Sequence, residues 1–234
     1  MIIPRTAGQC GKADYGWLKA RYAFSFGHYF DPNLMGYSVL RALNQEVLAP
    51  GASLQPRTFP RVDILNLVLD GDATYRDSEG RHTQAGAGEA LLLTTRPGVS
   101  YSEYNCNAGA PLTRLQLWLD ASAGREAPSI QKCPLTAHGC QLLASPDGNP
   151  NCLMLRQQVW IYHLAFTQGE TLDIALHGPR AWLQSIHGTF RVSAGENSAR
   201  EVLTCGDGAF IHDESLLTLT AETAFQGLLI DLPS

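Results

Sequence analysis

Apolar residues recur along this chain of 234 residues in short runs that are bounded by turn sequences. The turns include Asp70-Gly71 and Asp207-Gly208, and no long stretch keeps a helical period. The runs have strand length, with continuous or alternating apolar positions: Ile64 to Leu69, Ala90 to Thr95, Leu115 to Leu119, Trp160 to Phe166, Ala181 to Ile186, Ala209 to Ile211 and Leu216 to Thr220. This pattern predicts an all-β fold of the sandwich or barrel type.

The two halves of the chain share a weak internal repeat. In the first half a strand ends at Gly71 and a G-x-G turn follows at Gly86; in the second half the same order recurs at Gly188 and Gly206. A tandem duplication of a small β-barrel accounts for this order. We therefore expect one barrel over residues 1–121 and another over 136–234, joined by a turn-rich linker over 122–135.

Composition excludes several classes of partner. The chain has 17 basic and 22 acidic residues, which give a formal net charge of -5 and no basic surface for nucleic acid or anionic membrane. It contains no apolar run long enough to span a bilayer and no signal peptide, and its six cysteines form no C-x-x-C motif. We expect a cytoplasmic protein with reduced thiols, either a monomer or a weak dimer.

The first half carries the frame of two metal-binding motifs of the cupin barrel. Gly51 is followed by Arg57-Thr58-Phe59, Asp63 and Gly71, and Pro97-Gly98 is followed by Tyr101 and Asn105. A longer set of residues resembles the signature of the pirin family: Gly16-Trp17-Leu18, Phe24-Ser25-Phe26, Tyr29-Phe30-Asp31-Pro32, Met35-Gly36 and Ser102-Glu103-Tyr104-Asn105. The resemblance implies a bicupin, that is, two jelly-roll cupin barrels with few short helices.

Pirins usually hold one metal in the N-terminal barrel through three histidines and one glutamate, and many bacterial members are quercetin dioxygenases. In this chain the histidine positions fall on Arg57, Phe59 and Tyr101, and only the glutamate remains, as Glu103. A guanidinium has no acceptor lone pair, a phenyl ring ligates nothing, and one carboxylate cannot hold a first-row metal alone. The resemblance therefore predicts no metal, no other cofactor and no quercetin dioxygenase activity.

Arg57 has two interpretations. In the first, its guanidinium replaces the metal as the positive charge that pairs with buried Glu103, because an unpaired buried carboxylate is costly. In the second, Arg57 extends out of the barrel mouth while Phe59 fills the cavity. Replacement of Arg57 by methionine would strongly destabilise the fold only in the first case.

Three cysteines are candidate redox thiols. Cys106 follows the strand that carries Tyr101 and Glu103, where we expect Arg57 to lower its pKa, and Cys133 and Cys140 lie seven residues apart, where oxidation would pair them. The alternative is that all three are bystander thiols. The second half adds histidines without a His-x-His pair, which we interpret as strand-end or surface residues.

Two classes of function remain. The favoured one is a metal-less pirin-like regulatory protein that responds to redox state or to a ligand through the pocket of Arg57, Phe59, Tyr101 and Glu103. Its partner would be an unknown small molecule or a protein. The alternative is a quercetin dioxygenase or another small-molecule oxygenase that works through a site the motifs do not reveal.

Overall fold

A computed structural model describes residues 1–195 and 200–233. Within these residues the chain forms 22 strands and one short 3-10 helix, Ala7–Gln9. Each of the seven apolar runs lies in a strand or extends one residue beyond it. The predicted all-β class and the scarcity of helices are therefore confirmed.

The strands follow one another with short turns. Those of the first half are β1 (Ile2–Arg5), β2 (Gly11–Asp14), β3 (Leu18–Tyr22), β4 (Leu40–Leu48), β5 (Ser53–Thr58), β6 (Val62–Asp70), β7 (Asp72–Asp77), β8 (His82–Gly86), β9 (Glu89–Thr94), β10 (Ser100–Tyr104), β11 (Leu112–Asp120) and β12 (Ile130–Pro134). Those of the second half are β13 (Gly139–Ser145), β14 (Leu153–Met154), β15 (Trp160–Phe166), β16 (Thr171–Ala175), β17 (Arg180–His187), β18 (Phe190–Ser193), β19 (Glu201–Leu203), β20 (Gly208–His212), β21 (Leu216–Ala221) and β22 (Phe225–Leu232).

Each half builds one large and one small sheet. The first barrel joins a seven-stranded sheet, β12-β9-β6-β11-β4-β3-β2, to a four-stranded sheet, β5-β10-β7-β8. The second joins β1-β20-β17-β22-β15-β13-β14 to β16-β21-β18-β19. In both, apolar side chains of the large and small sheets meet in one interior. The chain is thus two cupin-type barrels in tandem.

The internal repeat has a structural counterpart in how the chain passes between sheets. It leaves the large sheet after β6 or β17, makes a hairpin in the small sheet, and returns in β9 or β20. Gly71 and Gly188 make the first turn with φ of 83° and 79°. A Cβ on either would collide with the backbone, at Pro111 and Ala224 respectively. Glycine is required at both turns because other residues rarely adopt positive φ and also need that space.

The first strand of the chain belongs to the second barrel, and the segment between the units returns to the first. Strand β1 pairs with β20 of the second barrel, where Ile2 lies opposite Ile211, and β12 pairs with β9 of the first barrel, where Cys133 lies opposite Ala90. The predicted linker over 122–135 therefore ends in a strand of the first barrel. Such pairing covers sheet edges that would otherwise present free backbone groups.

The two large sheets pack against each other through a shared apolar core. Leu67 and Leu117 of the first barrel belong to the same buried cluster as Trp182 and Ile230 of the second. A buried ion pair also crosses between the units: Arg156 Nε donates to Asp63 Oδ1 at 2.8 Å. In their central strands, such as β6 and β17, both faces of the large sheets are consequently buried, one in the shared core and one in a barrel interior.

Candidate functional site in the first barrel

The interior of the first barrel contains a cavity of about 130 Å³. Strand β11 shows how it is built: Leu115 and Leu117 point into the core shared by the barrels, while Arg114 and Gln116 alternate with them and point into the first barrel. The aromatic and acidic side chains around the cavity include Tyr22, Phe26, Glu46, Phe59, Tyr101 and Glu103.

A buried ion cluster forms the floor of this cavity. Arg114 Nε donates to Glu103 Oε1 at 2.9 Å and to Oε2 at 2.8 Å, and Arg114 Nη2 lies 2.8 Å from Oε1. On its other side Arg114 Nη1 donates to Glu46 Oε1 at 3.3 Å. All three side chains are at most 5% exposed. One guanidinium is therefore held between two carboxylates.

The charges of the cluster change the ionisation of the groups around them. Burial lowers the pKa of Arg114, but Glu103 and Glu46 more than offset this, so its pKa is raised. Burial, followed by the charge of Glu103, raises the pKa of Tyr75 well above its usual value. Burial and then Glu46 raise the pKa of Tyr22 to about 12. The phenols are therefore neutral and the guanidinium is charged.

The residue that pairs with Glu103 is Arg114, not Arg57, which corrects the first interpretation of Arg57. Arg57 is exposed on β5, and its guanidinium carbon lies 4.8 Å from the centre of the Phe59 ring and 5.6 Å from that of Trp118. Strand direction explains this placement, because Arg57 lies opposite Tyr101 and Glu103 lies farther along, opposite Leu54. Arg57 belongs to the mouth of the barrel, as in the second interpretation.

Aromatic rings close the same mouth. Phe59 packs edge-on against Trp118 at 5.2 Å and near Tyr101 at 5.9 Å, and Phe26 packs edge-on against Trp118 at 5.1 Å. The Tyr101 hydroxyl donates to the carbonyl oxygen of Thr94 at 3.3 Å. At two of the three positions where the family resemblance implies histidines, Phe59 and Tyr101 therefore contribute ring surface instead of metal-binding atoms.

Three buried carboxamides continue the polar interior. Asn44, Gln116 and Asn66 lie opposite one another on β4, β11 and β6. Gln116 Nε2 donates to Asn66 Oδ1 at 2.8 Å, whereas both amide atoms of Asn44 have no hydrogen-bond partner among the described residues. Buried amides are normally paired, so this row is a costly feature of the interior.

The donor set around the cavity does not fit a metal. Phe59 offers no donor atom, Arg57 and Arg114 offer only N–H groups, and the hydroxyl of Tyr101 is bonded to the backbone. The carboxylate of Glu103 already accepts from Arg114 with both oxygens. Across residues 1–195 and 200–233, no group of three histidine, cysteine, aspartate or glutamate side chains has metal-binding geometry.

Cys106 is exposed, but it lies far from Arg57. Arg57 faces Tyr101 on the neighbouring strand, whereas Ser53 faces Tyr104, and Cys106 follows beyond Tyr104. The four residues from Ser53 to Arg57 alone span about 13 Å of extended chain. Arg57 and Cys106 therefore lie toward opposite ends of the paired strands, and the expected contact between them is not formed.

Cys133 and Cys140 are not brought together. Gln141 donates to Cys133 Sγ at 3.7 Å, so its neighbour Cys140 points to the opposite face of β13. Burial raises the pKa of both thiols, which reduces the reactive thiolate. The cysteine that shares a surface cleft with Cys133 is Cys152.

The sequence reasoning missed Glu46 and Arg114, the two residues that complete the ion cluster. Arg114 belongs to a strand in which polar and apolar residues largely alternate, and Glu46 ends the polar run Asn44-Gln45-Glu46; such polar residues usually face water. The sequence held no signal for them, because the central position of β4 and β11 in the large sheet, with partners on both sides, is visible only in the structure.

No helix of the described residues could span a membrane.

Comparison with known proteins connects the chain to two domain families. Residues 4–119 match the Pirin family, and residues 142–232 match the quercetinase C-terminal cupin domain. The pirin-like protein YhaK of Escherichia coli strain K12 is 63% identical over 233 residues, which cover 100% of both chains.

Two further matches are more distant, and their descriptions name quercetin dioxygenase activity or a bound nickel ion. A quercetin 2,3-dioxygenase of Escherichia coli strain K12 is 31% identical over 100% of this chain and 99% of its own. The crystal structure of the bacterial pirin YhhW in complex with nickel(II), also from Escherichia coli, superimposes with a TM-score of 0.92 at 30% identity and covers 100% of this chain and 99% of that chain.

Proposed function

The chain belongs to the pirin family, and from that premise we propose that it is a metal-independent member that binds a ligand and has no quercetin dioxygenase activity. The observation that carries the proposal is the Glu103–Arg114 pair. In this barrel the glutamate of the family's metal site is bonded to a guanidinium through both oxygens. A metal would have to displace that guanidinium, which would then be left buried beside the metal charge.

The rest of the interior supports the same proposal. The former histidine positions hold the cation of Arg57 and the rings of Phe59 and Tyr101. These side chains close the mouth of the cavity and offer no atoms that could coordinate a metal. The space that remains is bounded by aromatic faces and by Glu46. A cavity with an apolar wall and few polar groups is typical of a small-molecule site. The proposed role is therefore ligand-responsive regulation in the cytoplasm by a monomer or weak dimer.

The alternative function is an oxygenase like the 31% identical relative that is described as a quercetin 2,3-dioxygenase. It would need a metal site elsewhere or a rearranged Arg114. Cys106, Cys133 and Cys140 are kept as proposed redox thiols, of which Cys106 and Cys140 are exposed and Cys133 is buried. Peptide mass spectrometry after mild peroxide treatment tests them, and three unmodified thiols would remove the redox part of the proposal.

Metal content and oxygen consumption, measured on one sample, test the central proposal. The full chain is purified without chelators, its metals are measured by plasma mass spectrometry, and oxygen uptake is followed with quercetin. The Escherichia coli relative described as a quercetin 2,3-dioxygenase, purified in the same way, is the positive control. We expect far less than one metal per chain and no uptake. Near-stoichiometric nickel, iron or zinc would overturn the proposal.

A further inference from the structure

The mouth of the first barrel is an aromatic enclosure that already holds a cation. The guanidinium of Arg57 lies over the rings of Phe59 and Trp118, which are themselves in edge-on contact. The faces of aromatic rings attract cations, and enclosures of this kind recognise ammonium groups. Here the cation is supplied by an exposed side chain of the same protein.

Glu46 gives this enclosure an acidic floor. It lines the cavity with a side chain that is 5% exposed, and its Oε1 receives one long contact of 3.3 Å from Arg114 Nη1. Its other oxygen, Oε2, accepts no hydrogen bond from any described residue. Glu103 differs, because both of its oxygens accept from Arg114 Nε. Oε2 is not one of the fully buried unpaired side-chain atoms of the described residues, so it is open to the cavity and can accept from a donor that comes from outside the chain.

The charges of the site are balanced only while Arg57 remains over the rings. Glu46 and Glu103 carry two negative charges and Arg114 one positive charge, so the cluster has a formal charge of -1. Burial lowers the pKa of Arg57, and Glu46, which raises it, is the strongest of the charges that act on it. If Arg57 moves outward, the cavity is left with one negative charge beside exposed aromatic faces.

We propose that the first-barrel cavity binds a small organic cation, a protonated primary amine that carries an apolar group of about one ring. The ammonium group donates to Glu46 Oε2, and the apolar part packs on Phe59 and Trp118 in place of Arg57. The volume of about 130 Å³ is close to that of a cavity known to hold one benzene ring. This inference rests on the proposed function, since a metal in the cavity would exclude the amine.

Isothermal titration of the full chain with three probes of similar shape tests the charge preference. Benzylamine is the cation, benzyl alcohol the neutral form and benzoate the anion. We expect benzylamine to bind roughly tenfold more tightly than benzyl alcohol, because a charged donor on a carboxylate is stronger than a neutral one, and benzoate to bind least. If benzyl alcohol or benzoate binds as tightly as benzylamine, or if benzylamine does not bind, the inference is overturned.

Two variants separate the roles of floor and mouth. Glu46→Gln keeps the shape and removes the charge, so benzylamine binding should weaken roughly tenfold. Arg57→Ala removes the competing cation, so binding should tighten about twofold to fivefold. Arg76→Ala is the matched control, because that guanidinium lies 5.0 Å over Tyr104 and does not line the cavity. Its affinity should equal that of the unmodified protein.

The outcomes distinguish this inference from the proposed function. Unchanged benzylamine affinity in a Glu46→Gln variant with normal urea unfolding would overturn the amine site, while low metal content would still support the metal-independent protein. Stoichiometric metal would overturn both, whatever the probes show.

Discussion

The two barrels share one topology but are filled differently. The second is filled mainly with apolar side chains, of which Leu183, Phe190 and Leu219 are at most 1% exposed. The first encloses the charged cluster around Arg114 and a row of carboxamides. The second barrel shows that this fold forms without a guanidinium enclosed between carboxylates, since its buried Asp231 is bonded instead to His177 and the backbone of Gly178. The ions of the first barrel are therefore not required by the architecture, and since buried ion pairs contribute little net stability, we relate them to binding.

The second unit also contains a buried ionisable side chain, His163, which is not part of an ion pair among the described residues. His163 is 1% exposed on β15, and its Nε2 lies 2.9 Å from Gln226 Nε2. An amide nitrogen can only donate, so His163 accepts through Nε2 as a neutral imidazole. Burial lowers its pKa to about 4. One barrel therefore pairs its buried charges, whereas the sheet of the other keeps its buried histidine uncharged.

The largest expected effect comes from removal of the central cation. Arg114→Met leaves Glu46 and Glu103 buried without a counter-charge, so we expect a loss of about 3–5 kcal/mol in the free energy of unfolding, measured with urea. The comparison is Leu183→Met in the apolar barrel, a swap of similar volume that should cost less than about 1.5 kcal/mol. Equal losses would mean that the charged interior is not held together by Arg114.

An intermediate effect is expected from pH through His163. Between pH 6.5, near the pKa of an unfolded histidine, and pH 4, the unfolded chain binds more protons at this position than the folded chain. Its contribution to stability therefore falls as pH falls through this window, by up to about 3 kcal/mol. Unfolding of the protein and of His163→Gln is compared at pH 7 and pH 4.

The variant should be relatively more stable at the lower pH, because it has no buried group to charge. A difference between the two proteins that stays constant from pH 7 to pH 4 would show that His163 titrates normally in the folded state.

The smallest effect is expected at the mouth of the first barrel. Arg57→Met removes an exposed cation from two ring faces, which is worth about 0.5–1 kcal/mol. Urea unfolding of Arg57→Met and Arg114→Met under the same conditions compares how much each arginine contributes to the free energy of unfolding. A loss for Arg57→Met as large as that for Arg114→Met would restore Arg57 as the counter-charge of Glu103.

Much of the fold could be predicted from local signals. The apolar runs predicted six of the strands of the two large sheets and one strand of a small sheet: β6, β9, β11, β15, β17, β20 and β21. Gly71 and Gly188 marked the turns at which the chain changes sheets, because only glycine meets their backbone requirement. The positions of the family's metal site were assigned through motif spacing and the family resemblance, and this assignment stays a prediction. The ion pair of Glu103 could not be predicted, because its partner comes from another strand, where β11 presents Arg114 to the same interior.

The sequence by itself determined the all-β class, the duplicated order and the absence of histidines at the former metal positions. Only the tertiary structure decided which face of an alternating strand lies inside. Strand β11 carries Arg114 and Gln116 on one face and Leu115 and Leu117 on the other, a pattern that usually indicates one wet and one dry face. The second barrel covers the leucine face, so the polar face becomes the interior of the first. An alternating sequence shows that the two faces of a strand differ in polarity. Only the packing of the sheets determines whether each face lies in a core, in a barrel interior or in water.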